Sequence, residues 1–366
     1  MTERAGAVVA WLEPLAAALA RDGQAALVVV ATTQGSAPRE AGATMVVSAT
    51  GCTGSVGGGH LEYEAQQIAR DALGSRTPPG TWIVRFPLAA RLGQCCGGVA
   101  TLAFAKLDPH ARNWLEPALA CMRTGAAFAL LAHLADGARG SDARLLVTTD
   151  DARGTLGTRQ LDSAAIALAR TRLAGAGPRA ALVRFAGEGA ATLLVHVERP
   201  DPFPVLVFGN GHVGRALVDV LGVVPAQVRW IDPRGDDFPQ RIPENVEVVV
   251  TDAPDDEVRQ APPGAFVVVT THSHALDLLL IEATLARDDW RYVGLIGSKS
   301  KRAQFERRIA ARGFAPEAFA RVRCPIGAQV AIKGKHPGSI AIAIAAELLV
   351  AREAGERSPA LRMATR

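Results

Sequence analysis

Residues 205–217, VLVFGNGHVGRAL, restrict the fold of this chain more than any other stretch. An apolar run ends in Gly209, Gly211 and Gly214, spaced G-x-G-x-x-G, and an amphipathic segment follows. Each glycine has a physical reason. The first makes a tight turn, the second lets the backbone approach a ligand, and the third lets a helix pack on its strand, so that free N–H groups face a phosphate. A turn that merely packs would use the same residues, so context decides. The next strand-like run, QVRWID, ends in Asp232, a carboxylate placed to take a ribose diol. Beyond it VEVVVT, FVVVTTH and YVGLIGS alternate with helical patterns, which predicts a parallel sheet covered on both faces. The fold class is therefore α/β, with a Rossmann-like doubly wound parallel sheet over 204–352.

A length of 366 residues suggests two domains. ERPDPFP at 198–204 places three prolines in seven residues, a linker signal. The region before it, 1–197, reads as a mixed α/β domain. Helical spacing covers 8–21, 61–73, 112–123 and 161–174, and strand patterns cover 25–33, 44–48, 81–86, 99–107, 127–134 and 144–149. No internal repeat is evident. A net charge of +4 with no Lys/Arg run argues against nucleic acid. No stretch is long and apolar enough to span a membrane, and the first twenty residues lack the basic-then-apolar pattern of a secretory signal. Five scattered cysteines argue against a disulfide framework and for a reducing compartment, so a cytoplasmic location is expected.

Several loops carry chemistry. GSVGGGHLE (54–62) lacks the P-loop lysine, yet Gly57, Gly58 and Gly59 suit either an anion nest at a helix start or a hairpin tip needing positive φ. In ATTQGSAPREAG (31–42), Ser36 and Arg39 sit in a loop after a strand, where the arginine is a phosphate fork or a solvated charge. THSHALD (271–277) puts His272, His274 and Asp277 at a strand's carboxyl end, where the histidines suit metal chelation or, better, substrate hydrogen bonds. GSKSKR (297–302) opens with Gly297 and Ser298 and is either an anion contact or a solvated face.

LGQCCGG (92–98) sets Cys95 and Cys96 before Gly97 and Gly98. Adjacent thiols form a strained ring when bonded to each other, and no second cysteine pair completes a zinc site. A reactive thiolate, a soft-metal ligand, and two small buried hydrophobes remain open.

Taken in order, TTQGSAPREAGATMVV, GSVGGGHLE, the Cys-Gly-Gly turn, VLVFGNGHVGRAL, THSHALD, YVGLIGSKSKR and CPIG resemble the xanthine dehydrogenase accessory proteins, the XdhC/CoxI family. His60 stands where CoxI members commonly carry cysteine, which favours the XdhC branch. The resemblance implies a chaperone that holds molybdenum cofactor while a cysteine desulfurase exchanges an oxo for a sulfido ligand. It then delivers the cofactor to apo xanthine dehydrogenase, and a homodimer is expected. On this reading Cys96 ligates molybdenum or guards its sulfido group, with Cys95 as its neighbour. After PIG the chain departs from the family pattern, with Ala328 and Ser339 in AQVAIKGKHPGSIA. The fingerprint alone would suggest an NAD(P)-dependent oxidoreductase with a nucleotide at the Rossmann site, and a third reading is an interaction scaffold.

Overall fold

The structure is a computed structural model and describes residues 11–89, 97–134, 143–175, 177–186, 191–199, 203–330, 332 and 334–357. The chain divides into two compact units, Met1–Pro200 and Asp201–Arg366.

The first unit begins with α1 (Leu12–Asp22), whose Leu12, Leu15, Ala18 and Leu19 form one buried stripe and which stops at Gly23 in the left-handed region. β1 (Ala25–Gln34), β2 (Thr44–Val47), β3 (Cys52–Gly54), α2 (Gly59–Gly74), β4 (Gly80–Pro87) and β5 (Val99–Leu107) follow. The strands form an antiparallel sheet of order β3-β2-β1-β5-β4. The pattern then recurs as α3 (Arg112–Thr124), β6 (Phe128–His133), β7 (Arg144–Val147), β8 (Ala152–Thr155), α4 (Arg159–Ala174), β9 (Ala180–Phe185) and β10 (Ala191–Glu198). This sheet has order β8-β7-β6-β10-β9, the same path through the same positions. The unit is an internal repeat, contrary to the sequence reading. Its two copies are offset by 100 positions: Gly54, Leu61, Ala65 and Ala69 answer to Gly154, Leu161, Ala165 and Ala169.

Period-two alternation splits each central strand between two cores. Leu27, Val29 and Ala31 of β1 join Leu130 and Ala132 of β6 in a core shared by both sheets, α1 and α3. Ala26, Val28 and Val30 face α2 instead, while Ala129 and Leu131 face α4. Both faces of each sheet are thus covered.

The second unit contains β11 (Pro204–Phe208), α5 (His212–Leu221), β12 (Gln227–Ile231), β13 (Val246–Val249), α6 (Pro254–Arg259), β14 (Phe266–Val269), α7 (His274–Leu285), β15 (Tyr292–Leu295), α8 (Lys299–Ala311), α9 (Pro316–Ala320) and α10 (Pro337–Arg357). The sheet is wholly parallel, with order β13-β12-β11-β14-β15, the doubly wound order whose reversal point lies between β11 and β14. Leu206 and Phe208 pack towards α6, α7 and α8, and Val205 and Val207 towards α5 and α10. Among the described residues, no helix is long and apolar enough to cross a membrane.

Candidate functional site

Three loops of the first copy converge at one end of its sheet. The turn after β1 meets the glycine pair that leads into β5. Gly98 donates its N–H to Ser36 O at 3.1 Å, and a Cβ on Gly98 would lie 2.3 Å from that same oxygen. Only glycine permits this approach. Pro38 closes the gap to the loop before α2, its Cγ lying 2.6 Å from where a Cβ on Gly57 would be. Ser36, Gly57, Gly58, Gly59, Gly97 and Gly98 therefore occupy one corner. Arg39 is exposed in the same loop, with Nη2 3.8 Å from Glu40. Cys95 and Cys96 lie outside the described residues, as does the rest of 90–96.

Of the two readings of this loop, positive φ is found at Gly57, Gly58 and Gly59, and the anion nest has an internal occupant. Glu62 Oε2 accepts from Ser55 Oγ at 2.5 Å, from Val56 N at 3.2 Å and from Gly58 N at 3.1 Å. Burial alone would raise its pKa, but the Ser55 hydroxyl and the loop N–H groups outweigh that and hold it below the ordinary carboxylate value. The second copy repeats the device: Asp162 accepts from Thr155 Oγ1 at 2.8 Å and from Leu156 N at 2.6 Å.

The copies differ at the next two positions. Gly58 has φ 69° and ψ −178°, a region open essentially to glycine alone, and it precedes α2 with no side-chain cap. Its counterpart Thr158 has φ −132° and ψ 144°, and its hydroxyl accepts from Leu161 N as an ordinary cap. Arg159 replaces Gly59. The second copy thus builds the same strand, loop and helix without the glycine-only backbone, and a Cβ on Gly58 would meet nothing within 4 Å.

In the second unit the candidate residues line the carboxyl end of the parallel sheet. Gly209 has φ 112° and abuts Thr270 O, and a Cβ on Gly214 would lie 2.1 Å from Gly209 O. Both are required by packing. Gly211 is exposed, and a Cβ there would meet nothing within 4 Å. Asp232 is 4% exposed and engaged by Arg234 and by the Asn210 N–H. Desolvation pushes its pKa up, and the Arg234 guanidinium with the surrounding N–H groups brings it below the usual range. His272 and His274 are exposed after β14, and no cluster of three or more potential metal ligands exists among the described residues.

The polar pair that ties this edge together escaped sequence reasoning. Lys301 Nζ lies 2.5 Å from Asp277 Oδ2 and 2.9 Å from Ile296 O, while Thr271 Oγ1 donates to Asp277 Oδ1 at 2.6 Å. Lys301 is 9% exposed and Asp277 fully buried. Lys301 is therefore neither an anion contact nor part of a solvated face. Gly297 makes room for it, since a Cβ there would lie 2.6 Å from Lys301 Cδ, and Ser298 caps α8 through Lys301 N. Asp277 one turn into a helix behind a Thr-x-Ser loop was the available signal.

Comparison with known proteins places these features. Residues 205–348 match the family model of the XdhC Rossmann domain, and residues 18–87 match that of the XdhC and CoxI family. The chain is 27% identical over 166 residues to the uncharacterized protein YqeB of Escherichia coli K12, covering 44% of this chain and 29% of that protein. The match therefore spans under a third of that relative's length. A crystal structure described as a xanthine dehydrogenase from Bacillus halodurans is similar in fold, with a TM-score of 0.71 and 20% identity over 96% of this chain and 98% of that one.

Proposed function

The chain belongs to the XdhC and CoxI family, both of whose domains it carries in order, and on that premise we propose that it is an accessory protein for a xanthine dehydrogenase. Its cargo is molybdenum cofactor, received for sulfuration from a cysteine desulfurase and passed to the apo-enzyme. The observation that carries the reading is the glycine corner of the first copy. At Gly58 the backbone lies in a region that admits only glycine, and the second copy builds the same turn with Thr158 in ordinary extended backbone. A glycine-only backbone where the scaffold itself accepts threonine points to a ligand.

The described residues fit the phosphate-bearing end of such a cargo. Beyond the Gly58 N–H, which Glu62 takes, the uncapped start of α2 leaves open backbone at Gly59, and Arg39 supplies an exposed cationic fork in the loop whose Pro38 packs on Gly57. The metal end falls to Cys96, with Cys95 beside it, because a thiolate is a soft ligand and a hydroxyl is not. In the second unit the turn at Gly209, Gly211 and Gly214 takes a phosphate, with His272, His274 and Ser298 at its rim. Delivery without release to solvent calls for direct contact with both partner enzymes, and the expected form is a cytoplasmic homodimer.

The test is retention of cargo. Protein loaded with molybdenum cofactor and passed through a desalting column is assayed for molybdenum and for pterin. Cys96→Ser should lose most of the molybdenum, because a hydroxyl stays protonated near neutral pH and is a poor ligand for the metal. Cys95→Ser should keep it if Cys96 is the ligand. Equal retention by both folded variants would defeat the assignment. Pull-down of loaded protein with xanthine dehydrogenase and with the desulfurase tests the partners.

A further inference from the structure

Asp232 stands after β12, where a dinucleotide fold takes the two hydroxyls of a ribose. A carboxylate offers about four lone-pair sites, and the protein already fills them. Arg234 Nε lies 2.8 Å from Oδ1 and Nη2 lies 2.9 Å from Oδ2, a bidentate fork. The backbone N–H of Arg234 donates to Oδ1 at 3.0 Å, and that of Asn210 donates to Oδ2 at 2.8 Å. The remaining guanidinium nitrogen, Nη1, is 3.2 Å from Asp237, so the fork is held from both sides. A ribose diol would bring two further donors to a carboxylate with no acceptor left.

The phosphate side of the same turn is different. Gly211 is extended, at φ −84° and ψ −177°, and neither backbone conformation nor crowding requires a glycine there. Asn210 is 2% exposed, and its Nδ2 is a buried donor with no hydrogen-bond partner. Its Oδ1 is taken by Arg215 Nε at 3.0 Å, which leaves the amide oriented with a donor to spare. The turn lacks an acceptor, whereas the carboxylate beside it lacks a vacancy.

We propose that Arg234 is a positioning residue that sets the selectivity of this crevice. By saturating Asp232 it shuts the diol subsite, so the turn takes a phosphate-bearing ligand with no ribose diol beside its phosphates, and it rejects NAD+. The chain keeps the backbone of a dinucleotide fold and is not a nicotinamide enzyme. The inference concerns the second unit alone and does not depend on Cys96 or on molybdenum.

The experiment is calorimetric titration of the full chain with pyrophosphate, NAD+ and NADP+, on the unaltered protein and on Arg234→Ala, Arg234→Gln and the double variant Arg234→Ala/Asp232→Asn. Circular dichroism establishes which variants fold. Pyrophosphate should bind the unaltered protein and the folded variants alike, and NAD+ should give no measurable heat with the unaltered protein at millimolar concentration. Removing the fork should raise NAD+ affinity at least tenfold, and the double variant should lose that gain. Where the alanine variant does not fold, the glutamine variant decides, because it fills similar space without the fork. NAD+ binding to the unaltered protein as tightly as to the single variants would overturn the proposal. So would tighter binding of NADP+ than NAD+ to the unaltered protein, which would mean that Arg234 is free to meet a 2′-phosphate. Absence of pyrophosphate binding throughout would overturn the phosphate half. Molybdenum retention, assayed separately, reports on the carrier reading without reference to any of these results.

Discussion

At Gly211 and Gly214 the same residue type does two different jobs, and one substitution separates them. A valine at Gly214 would put its Cβ 2.1 Å from Gly209 O, inside the strand-to-helix contact. That overpacking should cost roughly 1–3 kcal/mol or more and lower the melting temperature by several degrees. A valine at Gly211 meets open space and an ordinary backbone, so it should lose at most about 1 kcal/mol for a poorer cap. It should nevertheless abolish pyrophosphate binding. Thermal melts paired with titration read both effects, and unchanged binding by Gly211→Val would show the turn to be structural. The spacing of these glycines was legible in the sequence because each role depends on backbone alone. The state of Asp232 was not legible. Arg234 lies two positions on in a polar turn, and only the folded geometry shows its fork closing on the carboxylate.

Among the elements, those buried on both faces were the easiest to read. Continuous apolar runs such as VLVF and FVVV admit only a covered parallel strand, and β11 and β14 are that. The repeat was hidden for a related reason. What the copies share is turn glycines and small residues on helix stripes, such as Ala65 with Ala165 and Ala69 with Ala169, which any amphipathic helix could show. The lysine of GSKSKR misled because charge suggests solvent, whereas Lys301 turns inward to join α7 and α8 through Asp277. This pair has a measurable consequence. Lys301→Met leaves a buried carboxylate with Thr271 as its remaining side-chain donor, and Asp277→Asn leaves a buried ammonium without its counter-charge. Each should destabilise by about 3–5 kcal/mol. The double variant Asp277→Asn/Lys301→Met should lose much less than the two single losses combined, because the cost lies in the unpaired charge. Additive losses in urea unfolding would show that the groups act independently.

Across the first unit as a whole, the two copies are not independent domains, since a single apolar core lies between their sheets. A polar junction crosses that core. Trp11, ahead of α1, donates its Nε1 to Glu198 Oε1 at 2.8 Å, at the end of β10 in the other copy. His196 Nε2 lies 3.2 Å from the same oxygen, and Arg179 Nη1 is 3.5 Å from Oε2. Burial would drive the Glu198 pKa up, but the contacts from His196, Trp11 and Arg179 outweigh it and keep it below the ordinary value. The folded chain therefore holds a proton at this site less readily than the unfolded chain, whose glutamates titrate near roughly 4.3. The stabilisation is complete at neutral pH, begins to fall as the pH drops towards that unfolded value, and is gone below the folded one. Glu198→Gln keeps the shape and removes the charge. It should cost about 1–3 kcal/mol at neutral pH, and the loss should shrink as the pH falls below 4. Because the junction spans both copies, the loss should appear equally in amide exchange of β1 and β5 and of β6 and β10. A loss confined to the second copy would show that the copies open separately, and one independent of pH would remove the carboxylate from the account.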